Sequence, residues 1–339
     1  MRKRTFSPAK PGSLILFLLA VVHVSGAVVY TTIDYPGAVV TSLTGISNGG
    51  EMVGYYKNIQ ALFDTSQYGF VDNGGTLTSI IYPSAFNTVP QGINSSGVVV
   101  GWTQATDLGP ISSFTWNSTS GFQPLISYPG AADTTAYGIN DAGVIVGSFQ
   151  DSLGGVHGFV DNAGTFTQID VPGAGATVIT GINSNGDITG YYTTGSGLSY
   201  ETHGFIEKAG GGPGGLSGIF QTFDGAGVPI TEGWGINDSD TMSAVTNPSL
   251  FIAAPSAYIT DGTNFTNIDV PGASTTGAGG IDNAGDVVGG FTSDTGTHGF
   301  LRTDETPTSP PPSSAPEPES ALLVGAGVVG LVILRRRLQ

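Results

Sequence analysis

Histidine is the side chain most often used to move protons, and its placement here decides what chemistry to expect. Apart from His23 near the start, the histidines open one recurring phrase: His157-Gly158-Phe159, His203-Gly204-Phe205 and His298-Gly299-Phe300. A catalytic base stands in one pocket beside partners placed uniquely around it. A histidine at the same position of several copies serves the copies, so packing or turn hydrogen bonding is its expected work. No Ser-His-Asp triad and no other catalytic set is read. Carboxylates remain. Asp141, Asp238 and Asp282 stand early in a recurring tight turn, and Glu51, Asp187 and Asp286 follow the turn glycine. Each turn therefore holds oxygen atoms near backbone carbonyls. Calcium needs six to eight oxygens and one short turn supplies three or four. Capping of the turn is thus the expected role, and bound calcium at Asp141, Asp187, Asp238, Asp282 or Asp286 is the metal reading left open. No other cofactor is implied. Asp238 and Asp240 would suit glycoside hydrolysis only at the right separation.

The elements that must carry these residues repeat. The phrase Gly-Ile-Asn recurs as Gly45-Ile46-Ser47, Gly92-Ile93-Asn94, Gly138-Ile139-Asn140, Gly181-Ile182-Asn183, Gly235-Ile236-Asn237 and Gly280-Ile281-Asp282, at steps of 47, 46, 43, 54 and 45 residues. That period belongs to solenoids, propellers and arrays. In the third copy, 134–139, 144–149, 157–161 and 165–170 are short, rich in β-branched and aromatic residues, and separated by turn residues such as Asn140-Asp141-Ala142-Gly143 and Asn162-Ala163-Gly164. These are four antiparallel strands joined by tight turns, the plan of a propeller blade. The second strand is apolar on both faces, and the glycines Gly54, Gly101, Gly147, Gly190 and Gly289 within it are expected to admit a neighbouring sheet. The sixth copy ends at Arg302 without a fourth strand, while Val28-Val29-Tyr30-Thr31-Thr32-Ile33-Asp34 matches that missing strand. The fold read from the sequence is all-β: a six-bladed propeller of four-stranded antiparallel blades, closed by the N-terminal strand completing the last blade. A β-solenoid is the alternative. The Gly-rich insertion 209–218 accounts for the long fourth step and carries no phosphate-loop pattern.

Both ends read as addresses. Residues 1–27 have a basic start, an apolar run from Leu14 to Val22 and small residues up to Ala27, the pattern of a secretory signal peptide cut after Ala27. A retained anchor would need a longer apolar run. Residues 28–305 hold the repeats, and 306–319 form a Pro/Ser/Thr-rich linker that includes Pro316-Glu317-Pro318. Residues 320–339 carry an apolar helix followed by Arg335-Arg336-Arg337. Within 28–305, Lys57, Lys208 and Arg302 face twenty-four Asp and Glu, a formal charge of −21 that opposes nucleic acid and anionic lipid. There is no cysteine, so packing alone must hold the fold.

The Pro-Glu-Pro motif, apolar stretch and arginines closely resemble the PEP-CTERM sorting signal. That resemblance implies an exported protein held at the inner membrane by its C-terminal helix until an exosortase-type enzyme cleaves the tail, and then located at the cell surface or outside. It also implies an association with exopolysaccharide and biofilm. The repeats over about residues 28–302 resemble the HAF-type extracellular repeat, with Tyr68-Gly69-Phe70, Ser113-Phe114 and Ser256-Ala257-Tyr258 as degraded copies of the histidine phrase; no established reaction follows from it. Together these imply a non-enzymatic binding or structural component, with a neutral polysaccharide as partner. The alternative is a carbohydrate-active enzyme, a glycosidase or lyase, using carboxylates on one propeller face. Binding is expected on the rim formed by the second-to-third-strand loops, near Trp102, Tyr191, Tyr192 and Tyr200.

Overall fold

The computed structural model describes residues 27–58, 65–195, 201–225, 230–247 and 256–304. The signal peptide before Ala27, the linker with Pro316, Glu317 and Pro318, and the tail with Arg335, Arg336 and Arg337 lie outside the described residues. Ala27 itself is exposed and outside any strand. Among the described residues no helix is long and apolar enough to cross a membrane.

Val28–Asp304 is one compact unit, and its described residues form twenty-four strands in six groups of four. The inner strands are Val40–Ile46, Asn87–Ile93, Asp133–Ile139, Ala176–Ile182, Ile230–Ile236 and Thr275–Ile281. Each pairs antiparallel with the strand after it, across the hairpin that the Gly-Ile-Asn phrase marks. Blade three runs on through Ile145–Gln150, Val156–Asn162 and Thr165–Ile169, close to the four strands expected from the sequence. In the turn before its outer strand, Ala163 and Gly164 take φ of 51° and 86°, both in the left-handed region that the Asn-Ala-Gly turn requires. Blade six is completed by the N-terminal strand, as the sequence predicts. Val28–Ile33 runs antiparallel to Gly296–Asp304, from Val28 opposite Asp304 to Ile33 opposite Gly299.

Among the described residues six apolar clusters hold the blades together, one at each blade-to-blade contact. Val53 and Val71 of blade one meet Ile93, Val99 and Phe114 of blade two. The same scheme continues around to blade six, where Val288 packs with Leu43, Met52, Tyr56 and Phe70 of blade one. Blades six and one also share a parallel pairing at Val40 and Thr297. Both faces of each second strand are covered in this way, which is why the strand reads apolar throughout.

The second-strand glycines do different work from that expected. A Cβ on Gly147 would lie 2.8 Å from the ring of Phe159, and one on Gly101 would lie 3.0 Å from Phe114 and 2.8 Å from Pro90 Cα. The space they leave is filled from within the same blade, by the third-strand aromatic opposite and by the inner-strand backbone, and not by a neighbouring sheet. Phe70, Phe114, Phe159, Phe205 and Phe300 are all fully buried there. Blade five shows the reciprocal case: Ala244 replaces the glycine, and the opposing Tyr258 is only half-buried.

Candidate functional site

The glycine of each repeated phrase faces the axis. A Cβ on Gly45 would sit 3.1 Å from Gly92 Cα; on Gly92, 3.3 Å from Gly138 Cα; on Gly138, 3.3 Å from Gly181 Cα. The series passes through Gly235 and returns, with a Cβ on Gly280 only 3.0 Å from Gly45 Cα. Six backbones meet here at a spacing that leaves no room for a methyl group, so the phrase needs glycine for close approach.

The asparagine two residues later joins the blades at this end. Its Oδ1 accepts the N–H groups of its own turn, as at Asn140 from Ala142 and Val144 (3.1 and 3.0 Å). Its Nδ2 donates to the backbone carbonyl of the same position in the next blade: Asn94 to Asn140, Asn140 to Asn183, Asn183 to Asn237 and Asn237 to Asp282, at 3.0–3.2 Å. Ser47 and Asp282 have no amide to donate, so the series breaks between blades six, one and two.

The acidic candidates are occupied by this scaffold. Asp141 accepts the N–H and hydroxyl of Ser95, and Asp238 accepts the Ser184 N–H and the Asn283 amide. Asp282 accepts the Ala284 and Asp286 N–H groups, and burial pushes its carboxyl up. Asp286 is also pushed up, first by burial and then by the charges of Asp282 and Asp304, with Arg302 opposing. Burial works against ionisation of Asp187, yet the Ala209 N–H, then Asp240, Asn183 and Lys208 outweigh it and hold this carboxyl below its usual range. Lys208 also pairs with Asp240, which occupies the turn-glycine position of blade five at φ of 62°. Asp238 and Asp240 are thus committed to different neighbours. Among the described residues no three His, Cys, Asp or Glu side chains gather as a metal site.

The three histidines close clasps on the blade edges. Nδ1 of His157 lies 3.0 Å from Asp170, that of His203 lies 3.1 Å from Asp224, and that of His298 lies 2.9 Å from Asp34. Each clasp ties the start of a third strand to the end of an outer strand. The aspartates escaped the sequence reading, although each stands directly after an outer strand in a copy that has the histidine. Blades one and two hold Tyr68 and Ser112 at the histidine position, and Ile81 and Ser127 at that of the aspartate.

A cavity of about 460 Å³ opens at the other end of the axis, on the rim of the second-to-third-strand loops. Its aromatic walls are Trp102, Trp234, Tyr55 and Phe291, and its polar groups include Ser42, Thr44, Gln67 and Gln91. Two local features build it. The inner strands slip register just before the glycine of the phrase, at Leu43/Gly45 and Pro90/Gly92 and more widely at Gly233/Ile236, and such bulges re-aim a side chain. Thr44, Gln91 and Trp234 are turned to the axis in this way. On blade six the positions that Ser42, Thr44 and Tyr55 hold on blade one are Gly277, Gly279 and Gly290, which carry no side chain, so that part of the wall is open beside Phe291 and Thr292. The Tyr55 hydroxyl bonds with Ser42 and Gln67, and burial pushes its pKa up. Behind Trp234, burial pushes the Glu232 carboxyl up, opposed by a hydrogen bond with Trp234. Among the described residues lining the cavity, none is a carboxylate, a histidine, a lysine or an arginine.

Of the aromatic residues expected on this rim, Trp102 lines the cavity. Tyr192 packs against the His203 ring at 5.1 Å and bonds Thr222, Tyr191 is not part of the lining, and Tyr200 lies outside the described residues. The sequence reading missed Tyr55, Gln67, Gln91 and Trp234. For Gln91 and Trp234 the available signal was the residue before each phrase glycine, which varies as Thr44, Gln91, Tyr137, Thr180, Trp234 and Gly279 while the Gly-Ile that follows it repeats.

No family model and no curated protein matches the chain. Solved structures with a similar course include a mutant of the Aleuria aurantia lectin in complex with Fucalpha1-6GlcNAc, at 14% identity and a TM-score of 0.46 over 82% of this chain and 99% of that one. A Dyadobacter fermentans protein of unknown function is 11% identical, with a TM-score of 0.48 over 80% and 96%. The Trypanosoma rangeli sialidase, bound to 2,3-difluorosialic acid as a covalent intermediate, is 7% identical with a TM-score of 0.49, and this chain covers 58% of its length.

Proposed function

We propose that this chain is a non-enzymatic, carbohydrate-binding propeller that holds a neutral polysaccharide at the axial cavity. In this reading it is exported, sorted by an exosortase-type enzyme from an inner-membrane intermediate, and works at the cell surface or in the extracellular matrix. The observation that carries the binding role is the lining of the cavity. Indole and phenol faces stack on the C–H faces of a sugar ring, while Ser42, Thr44, Gln67 and Gln91 offer both donors and acceptors to its hydroxyls. A pocket of this size, with a few aromatic rings among convergent polar groups, is a common form of a small-ligand site. The uncharged lining suits an uncharged sugar, since a buried charge would go unpaired there. It also speaks for binding over hydrolysis: a two-carboxylate mechanism needs an acid and a base or nucleophile flanking the bond, and among the described residues no carboxylate lines the cavity.

The export and sorting reading is supported by the two terminal signals and by the paucity of cations between them. The test of binding is a glycan array probed with the full-length chain and with Trp102→Ala. Binding of neutral glycans that is lost in the variant is expected. Binding that is unchanged by the variant, or confined to acidic glycans, would overturn the assignment.

A further inference from the structure

Building on the carbohydrate-binding reading above, we infer that the axial cavity is a dead-end shaft that takes the end of an uncharged glycan chain, one end per molecule, with Gly277 setting the room for it.

The shaft has a floor. Below the cavity the axial space shrinks to about 70 Å³, where the bulged residues and the phrase glycines converge. The glycine backbones there pack so closely that a Cβ on any of them would lie only 3.0–3.3 Å from the Cα of the next. A polymer bound along its length needs an entrance and an exit, and the axis supplies one opening of useful width on this side. The walls narrow the choice further. Tyr55 is fixed by Ser42 and Gln67 on blade one, and Trp102 stands on blade two. Towards blade three, the edge of Tyr137 meets Trp234 at 6.4 Å and 79° and closes that side. The open volume lies against the bare glycines of blade six.

Sixfold repetition could have produced six equivalent sites, and the register shows why it produces one. The positions equivalent to Gly277 in the other inner strands are Ser42, Val89, Thr135, Val178 and Glu232. Each carries a side chain where Gly277 has none, and Ser42 and Val89 line the same cavity. A Cβ at Gly277 would meet nothing closer than Gly290 O at 3.8 Å, and its φ lies outside the left-handed region. The absent side chain is therefore not required by the backbone, unlike those of the phrase glycines. Its effect is to open the site.

The test uses the full-length chain and linear cello-, laminari-, malto- and manno-oligosaccharides of two to six units, with the long polymer of each. Two of the chain's three tryptophans line the cavity, so tryptophan fluorescence reports binding. Affinity is expected to level off within the first few units, and the number of proteins bound per polymer chain is expected to stay constant as the polymer lengthens. Proteins bound in proportion to polymer length would overturn end capture while leaving carbohydrate binding intact. Binding of no oligosaccharide would overturn the carbohydrate reading itself. Gly277→Leu is expected to weaken binding about 100-fold with an unchanged melting temperature, since the added side chain competes with the sugar for space. Full affinity in that variant would overturn the axial location. Should Gly277→Leu lower the melting temperature, Gln91→Ala, which removes a polar group from the floor, replaces it, and undiminished affinity there has the same meaning.

Discussion

Changing Asp282 to asparagine would give blade six the amide that four other blades use to bridge to their neighbours. In those four, Nδ2 donates to the next blade's carbonyl at 3.0–3.2 Å, and by the same geometry the new amide would donate to the carbonyl of Ser47. Asp282 is buried, with a relative exposure of 6%, and its carboxyl is held above its ordinary pKa by that burial. One buried neutral hydrogen bond contributes about 1 kcal/mol. Removal of a poorly solvated charge beside Asp286 adds to it, so Asp282→Asn is expected to stabilise the protein by about 1–2 kcal/mol, or about 2–4 °C in melting temperature for a domain of this size. The effect should depend on pH in a definite sense. A carboxyl whose folded pKa lies above its unfolded value binds more protons in the folded state, so stability falls as pH rises from about 4 through the folded pKa. The variant has no such group. Its advantage should be largest at pH 7 and should shrink below about pH 4, where only the new hydrogen bond remains. Thermal melts followed by circular dichroism at pH 7 and pH 3.5 measure both effects. A lower melting temperature at pH 7, or a difference that grows on acidification, would show that the amide finds no partner across the blades.

The reverse change, Asn140→Asp, should lower stability by about 1–3 kcal/mol in urea unfolding, because it leaves the buried Asn183 carbonyl without its donor and buries a charge. Gly147→Ala should cost about 3 kcal/mol or more, since the new methyl would run into the Thr135 carbonyl oxygen and lie 2.8 Å from the Phe159 ring, and near-wild-type stability would show that the inner-strand backbone can shift to admit it. His298→Ala should lower stability by no more than about 1 kcal/mol, because the clasp with Asp34 is partly exposed, while increasing amide exchange in Val28–Ile33 relative to the other outer strands. Calcium chelation should leave the melting temperature unchanged, because Asp141 and Asp238 already accept hydrogen bonds from neighbouring blades; a drop of several degrees would restore the metal reading.

The fold was legible because each blade announces itself twice, at the Gly-Ile-Asn hairpin and at the aromatic of the third strand. The N-terminal strand could be placed because Val28 to Asp34 repeats the outer-strand pattern of Thr165 to Asp170. The glycines of the second strands were assigned to the wrong neighbour, since sequence shows that space is needed and not what fills it. The cavity was harder to see for a physical reason. It arises from bulges, which shift the inner strand's facing without altering its composition, and from side chains missing at Gly277, Gly279 and Gly290. Trp102 was visible as an aromatic at the expected rim. Trp234 was not, because a strict two-residue alternation gives no sign that a bulge turns it to the axis. The His–Asp clasps join residues 13, 21 and 264 positions apart, and only the paired occurrence of the two residue types hints at them.

A crystal structure of the full-length chain soaked with a neutral oligosaccharide that it binds is the decisive measurement for the axial site. A sugar ring is expected on the propeller axis, stacked against Trp102 or Trp234 and hydrogen-bonded to Gln91 or Gln67, with the rest of the glycan leading out past Gly277. A sugar bound between two blades at the outer edge, with the axial cavity holding only water, would show that the site lies elsewhere.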